Sequence, residues 1–433
     1  FKYFKLDNLK LTSKKIFDSL YFKSEFDNND DNGSYQINIY HTQDKFKNSH
    51  FAIKKSTIPL GKNDWVINPK NLNTQNLSYY PKNNKMKLSE LTAQSGDQFI
   101  SLLGSFKDFN NYNLELNLQN TLIRNIIPPL KSFEIDGLTK INASIVKNIN
   151  QNVIEVDGNI TDLVINNQPL GNLYFKTDRG NQKSIFLTDI KLFDRDKKTL
   201  HINGFWGGST SSNFKLGLDI NNLNISFLSP LGKRAINNFK GFVDGKLNLS
   251  GNLKKFVHDG FLELKGGEFS IPFLNLDYSV EDTTVDLKDQ NFVFNKTAIN
   301  DLSKGTSASF TGNLSHNNFS NWTADITVTS ERMLLLNTDN KPESLFFGEG
   351  YLNGKVNLIG PTKNLKISLD GSTEKGTSIK IPLSEDLGIS NFSFVEFIDK
   401  NEKKNLEIKN RTKKIEDVKG LELDFELDIN NLA

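Results

Sequence analysis

The chain contains no cysteine, which excludes disulfides and thiolate metal sites. Histidine is scarce as well: His41, His50, His201, His258 and His316 are scattered, and no two stand at ligand spacing. Without a matching carboxylate cluster, neither a metal centre nor a histidine-based triad is expected. Charge of one sign is also lacking, since Lys+Arg 53 against Asp+Glu 51 leaves a net charge of +2. Nucleic-acid binding needs a clearly basic domain or stripe, so no nucleic acid is expected as a partner. No apolar run reaches the roughly 18 residues of a membrane-spanning helix, and no signal peptide opens the chain. Phe1 is not an initiator and the last residues stand in a strand-like run. The expectation is therefore an excerpt of a longer protein, with any anchor outside it.

Two apparent sites dissolve on reading. A calcium-loop pattern starting at Asn28, with Asp30, Asn32 and Gly33, has Ile39 where the bidentate Glu belongs, so a solvated turn is expected. The cluster Gly204-Phe205-Trp206-Gly207-Gly208 lacks the Lys-Ser/Thr of a phosphate loop and reads as a bulge or strand end. No catalytic constellation and no cofactor are expected.

What is present is alternation. Hydrophobic residues make up 36% of the chain, with 33 Phe among them. They fall in period-two runs: Tyr112, Leu114, Leu116, Leu118; Phe214, Leu216, Leu218, Ile220; Trp322, Ala324, Ile326, Val328; Leu365, Ile367, Leu369; and Leu421 to Ile429. Such runs predict strands with one apolar face and one wet face. The pairs Asn32-Gly33, Asp136-Gly137, Asp157-Gly158, Asn203-Gly204, Asp244-Gly245, Asp259-Gly260 and Asn353-Gly354 predict turns with positive φ. Short helical turns are expected at 120–130, 227–238 and 331–337. Residues 27–33 read as a polar loop, 70–97 as a long loop or insertion, and 399–418 as a mobile charged excursion.

A word also repeats. GFVDGKLNLSG at 241–251 returns as GYLNGKVNLIG at 350–360, with Ile271-Pro272 and Ile381-Pro382 as a second shared mark. A degenerate earlier copy spans 126–145, with Gly137 in the role of Gly241 and Gly350. A fixed period predicts one structural unit stacked repeatedly. The expected organisation is a less regular β segment at 1–100, a repeat region at 101–240, a repeat at 241–349, and a repeat at 350–433. The apolar stripe by itself leaves two readings open: a core covered by a second sheet, or an open curved sheet that offers its apolar face to lipid chains.

The order of motifs over 241–433 carries more. The glycine word is followed by GEFSIPFLNLDY at 267–278, Ala308 to His316, Asn318-Phe319, Met333 to Thr338, Phe347 to Gly350, Gly376 to Leu383, and the alternating strand Gly420–Ile429. This succession resembles the conserved C-terminal half of the translocation and assembly module family TamB, in its Bacteroidetes form, within the AsmA-like group of envelope proteins. The resemblance is looser over 100–240 and only by analogy over 1–100.

That resemblance implies an all-β fold: an elongated, repetitive curved β-sheet (a β-taco or open groove) with an apolar interior and few short helices. It implies phospholipid transport between inner and outer membranes in the periplasm of a Gram-negative bacterium. The partners implied are phospholipid acyl chains, an inner-membrane anchor and an Omp85-type (TamA-like) outer-membrane barrel, the last two through regions outside this chain. Roughly 25 strands at about 4.8 Å would make a groove on the order of 120 Å long. The lining candidates are Leu114, Leu116, Leu118, Leu216, Leu218, Leu247, Leu249, Val356, Leu358, Leu365, Ile367, Leu369, Leu423, Phe425 and Leu427. Two alternatives stay open: a β-barrel assembly factor that templates strands, and a β-solenoid adhesin or glycan binder.

Overall fold

The computed structural model describes residues 7–28, 33–60, 63–72, 75–127, 130, 133–148, 152–180, 185–207, 213–232, 236–340, 347–380 and 421–428, the last by backbone alone. The protein is all-β, with 27 strands and three short 3-10 segments among the described residues. It forms two compact units. One holds 1–233, 238–265 and 284–290; the other holds 234–237, 266–283 and 291–433.

In the first unit, neighbouring strands pair antiparallel in chain order from Gln98–Asp108 through Asn111–Leu122, Ile135–Lys147, Asn152–Ile165, Gln168–Arg179, Ile185–Asp194, Lys197–Gly207 and Phe214–Asn224 to Asn237–Asn252. The ladder is interrupted at one level by bulges, between Leu118 and Thr121, Ile160 and Leu163, and Ile220 and Leu223. Inside them Asn120, Asp162 and Asn222 take φ of 49°, 51° and 49°. Asn and Asp tolerate this left-handed conformation better than other side-chain-bearing residues, and each bulge bends its strand. Beyond the bulges, Ile160, Leu163, Leu170 and Leu192 close into a core with Ile123, Ile135, Leu223 and Phe227 packed on it.

The second unit runs antiparallel through Leu276–Val280, Asn291–Asp301, Ser307–Asn317, Ser320–Thr338, Phe347–Pro361 and Leu365–Thr373. Strand Leu421–Asp428 then adds in parallel. Its core gathers Leu276, Tyr278, Ile299, Ala308, Met333, Leu334 and Tyr351. The Tyr278 hydroxyl donates to the Leu334 carbonyl at 2.9 Å, and burial raises the pKa of that phenol.

Several local expectations are corrected. Of the seven Asn/Asp-Gly pairs, six lie inside strands, and Asn32 of the seventh lies outside the described residues. Glycine serves there for close approach. A Cβ on Gly354 (φ +150°) would stand 2.3 Å from the Asp370 carbonyl oxygen, a contact no side chain tolerates. Tight turns fall instead at Asn166-Asn167 and Asn318-Phe319, with φ of 51°, 64°, 51° and 55°. The helical turns at 120–130 and 227–238 reduce to 3-10 segments Ile123–Asn125 and Ser226–Gly232.

The expected turn at 331–337 is part of strand Ser320–Thr338. Register shifts at Ser330/Met333 and Leu334/Leu336 let the adjacent Met333 and Leu334 both be buried, which mimics a helical apolar run. Residues 70–97 are not a long loop either, because they contain strands Leu77–Tyr80 and Lys85–Ser95. Asparagine is structural here. Buried Asn68 donates to the carbonyls of Ile53 and Leu72, and buried Asn76 accepts from the Ile53 amide. The charged segment 399–418 and the mark Ile381-Pro382 lie outside the described residues.

Candidate functional site

Residues directly opposite each other in an antiparallel ladder project from the same face of the sheet, so the register alone sorts the candidate lining residues. Leu116 faces Ala143, which faces Val156, then Thr177, Thr188, Gly204, Leu216 and Leu249. One row over, Leu118 leads through Ile141, Gly158, Phe175, Ile190 and Ile202 to Leu218 and Leu247. Leu114 belongs to a third row that reaches back through Gly104, Leu88, Leu77, Phe51 and His41 to Leu20. All seven candidates of the first unit thus share one face. The alternation produced this, and the in-register meander made each strand's apolar set continuous with the next.

The second unit repeats the arrangement by itself. Gly312, Ile326, Leu358 and Ile367 form one row, and Phe310, Val328, Val356 and Leu369 another. Leu365 alternates with Ile367 on the same strand and pairs with Leu421. Leu423, Phe425 and Leu427 occupy the register positions beside Ile367, Leu369 and Gly371.

These faces are not covered like a core. Leu118, at the bulge line, is 2% exposed. Leu114, Leu116, Leu216, Leu218, Leu247, Leu249, Val356, Leu358, Leu365, Ile367 and Leu369 are only half-buried. Where the row turns polar, the groups satisfy one another: the Thr177 and Thr188 hydroxyls lie 2.9 Å apart, and the Trp206 indole N–H donates to Thr188 at 3.2 Å.

The opposite face is hydrophilic across the same strands. Asn117, Asn142, Asp157, Lys176, Asp189, Asn203, Gly217 and Asn248 face one another in turn. Asp189 takes hydrogen bonds from Lys191 and His201, at 2.6 and 2.7 Å, and these hold its carboxyl below the usual carboxylate range. A cavity of about 470 Å³ on this face is lined by Glu115, Glu155, Asp157 and Asp178 among others. Its lining also includes Leu103, Leu116, Ala143 and Val156, so carboxylates and apolar groups meet there.

Sequence reading missed the rows supplied by Ile141 to Ile145 and by Ile190 and Ile202, although their alternation was available. It also could not see that the motif words converge. Leu276 and Tyr278 from the first word, Ala308 from the second and Met333 and Leu334 from the third meet in one core. Among the described residues no group of three or more His, Cys, Asp or Glu could hold a metal, and no helix is long and apolar enough to cross a membrane.

No curated protein and no solved structure matches the chain. The family model of the TamB C-terminal domain matches residues 296–432. That span contains the strands from Ser307–Asn317 to Leu421–Asp428, and with them both apolar rows of the second unit. Residues 296–432 of the chain therefore match the C-terminal domain of TamB, a family of cell-envelope proteins.

Proposed function

We propose that the half-buried apolar face is the bed of a groove that conducts phospholipids between the inner and outer membranes, in the periplasm. The observation that carries this reading is the unbroken row from Leu116 to Leu249, apolar at both ends and polar only where its hydroxyls pair internally. Burial of one methylene is worth about 0.8 kcal/mol, so two acyl chains have ample driving force to settle on such rows. Similar sites in series favour sliding over trapping. The chain supplies no energy source of its own, so direction comes from its partners. An inner-membrane anchor and an Omp85-type outer-membrane barrel would join through regions outside this chain.

Native mass spectrometry of the purified chain, followed by lipid extraction, tests the reading. Co-purifying phospholipid is expected, and it should be lost from the folded Leu249→Asp/Leu358→Asp double variant. A wild-type chain that carries no lipid and rejects fluorescent phospholipid would end the proposal. Strand templating by sheet edges would instead survive Leu358→Asp, because that substitution leaves the backbone edges intact.

A further inference from the structure

The antiparallel ladder of the first unit sends its turns alternately to two ends, and the two ends differ. At one end the tight hairpins turn through Gly96-Asp97, Asn166-Asn167 and Arg195-Asp196. Gly96, Asn166, Asn167 and Arg195 take φ of 57°, 51°, 64° and 53° there, and Gly and Asn are the residues that tolerate this conformation best. The longer connections at that end leave Leu130 and Leu231 less than half exposed and pack Phe227 against the core.

The opposite end carries phenylalanine. Strands Asp7–Ile16 and Ser19–Asn28 turn at Phe17-Asp18, Gly33–Gln43 and Ser49–Ile53 at 44–48, and Gln98–Asp108 and Asn111–Leu122 at Phe109-Asn110. At these tips Phe17, Phe46 and Phe109 are 92%, 58% and 82% exposed. The hairpin at 81–84 joins them along one ladder, so the three rings span roughly 30 Å of sheet edge at about 4.8 Å per strand. Behind Phe109 lies an open row of Tyr79, Met86, Phe106 and Tyr112. The Phe106 and Phe109 rings meet edge-on with centroids 5.7 Å apart.

No turn chemistry asks for these rings. Phe17 takes φ of 51°, a conformation in which a bulky side chain is an outlier. A single exposed apolar residue needs no explanation. Three at neighbouring hairpins of one end, one of them on a disfavoured backbone, point to a partner. Lysine accompanies them: Lys45 and Lys47 flank Phe46, with the Lys45 ammonium 5.1 Å from the ring centre. Lys15, Lys82 and Lys107 stand exposed at the other turns. The carboxylates serve the turns themselves. Asp44 accepts from the amides of Phe46 and Asn48 at 2.8 and 2.9 Å, and Asp108 accepts from the Asn110 amide at 2.8 Å.

We propose that this hairpin end of the first unit docks on the surface of a lipid bilayer, with Phe17, Phe46 and Phe109 inserted as separate wedges and the lysines between them at headgroup level. Aromatic wedges interspersed with cations suit a fluid surface that closes around each ring. A folded protein partner would instead need one contiguous complementary patch. The bilayer is here a docking surface and not a cargo, so the proposal stands whether or not the apolar rows carry lipid. It assigns which end of the strands faces a membrane.

Sedimentation of the full chain with vesicles of phosphatidylcholine and phosphatidylglycerol in equal parts tests the docking. Wild type should pellet with the vesicles, and Phe17→Asn/Phe46→Asn/Phe109→Asn should bind roughly tenfold more weakly or worse. Asn suits the backbone at position 17 and the other two sites are exposed, so the variant should melt at or above the wild-type temperature. Lys45→Gln/Lys47→Gln/Lys82→Gln should lose about three- to tenfold, and less at high salt. The chain has no cysteine, so Phe109→Cys takes an environment-sensitive label at a single site, whose emission should shift to the blue on vesicles. That label decides the matter if the triple phenylalanine variant does not fold. Wild type that stays in the supernatant, equal pelleting of wild type and the phenylalanine variant, or a label that remains in water while the chain pellets overturns the docking end. Pelleting lost in Leu249→Asp/Leu358→Asp but kept in the phenylalanine variant would assign the adsorption to the apolar rows and overturn it as well.

Discussion

The packed clusters and the open rows of this protein are made of the same residue types on the same strands, yet they are buried to different degrees. Leu334 in the second unit's core is 0% exposed, whereas Leu358 in the row of the neighbouring strand is half-buried. The difference lies in the bulges. Where register shifts bend the strands, adjacent side chains fold onto one another and close a core; where the ladder runs straight, most apolar-face residues stay half-buried, although Phe186 is 0% exposed.

Four measurements sharpen or break that contrast. The largest effect is expected from Leu334→Ala, which should cost about 3–5 kcal/mol in denaturant unfolding because its site is fully enclosed. Leu358→Ala should cost less, about 1–2 kcal/mol, since its side chain is only partly buried. Equal costs would mean that the row is a covered core, and the contrast would collapse. Next, Gly354→Ala should lose about 1–3 kcal/mol, because its Cβ meets the Asp370 carbonyl oxygen from a backbone conformation disfavoured for L residues. A neutral result would show that the ladder relaxes there.

Tyr278→Phe is expected to cost about 1–2 kcal/mol by leaving the buried Leu334 carbonyl without its donor. The same substitution at Tyr112, on the open aromatic row, should be nearly silent. The smallest effect is a pH dependence. His258 is 1% exposed and desolvation lowers its pKa from 6.5. The unfolded chain therefore takes up a proton near pH 6.5 that the folded chain refuses, and this contribution to stability is lost as pH falls below that value. Thermal melts between pH 7.5 and 5.5 should fall further for wild type than for His258→Gln. Parallel slopes would rule the histidine out.

The alternation of Leu114, Leu116 and Leu118 made the strand and its apolar face legible, because side-chain direction in a strand depends only on parity. The bulges were not legible. Asn120, Asp162 and Asn222 look like ordinary polar residues of a wet face, and their left-handed backbone appears only once the neighbouring strands fix the register. For the same reason Met333 and Leu334 resembled a helix, and glycines such as Gly354 resembled turns. A consecutive apolar pair and a mid-strand glycine have several local meanings, and only the partner strand chooses among them.

The sequence by itself determined the all-β class, the strand faces and the family words of the C-terminal part, since each follows from local parity or fixed succession. The tertiary structure alone decided that successive apolar faces join into continuous rows and that the motif words meet in one core. Those are properties of register between strands distant in sequence, and register is set by pairing energy summed over whole ladders rather than by any single residue.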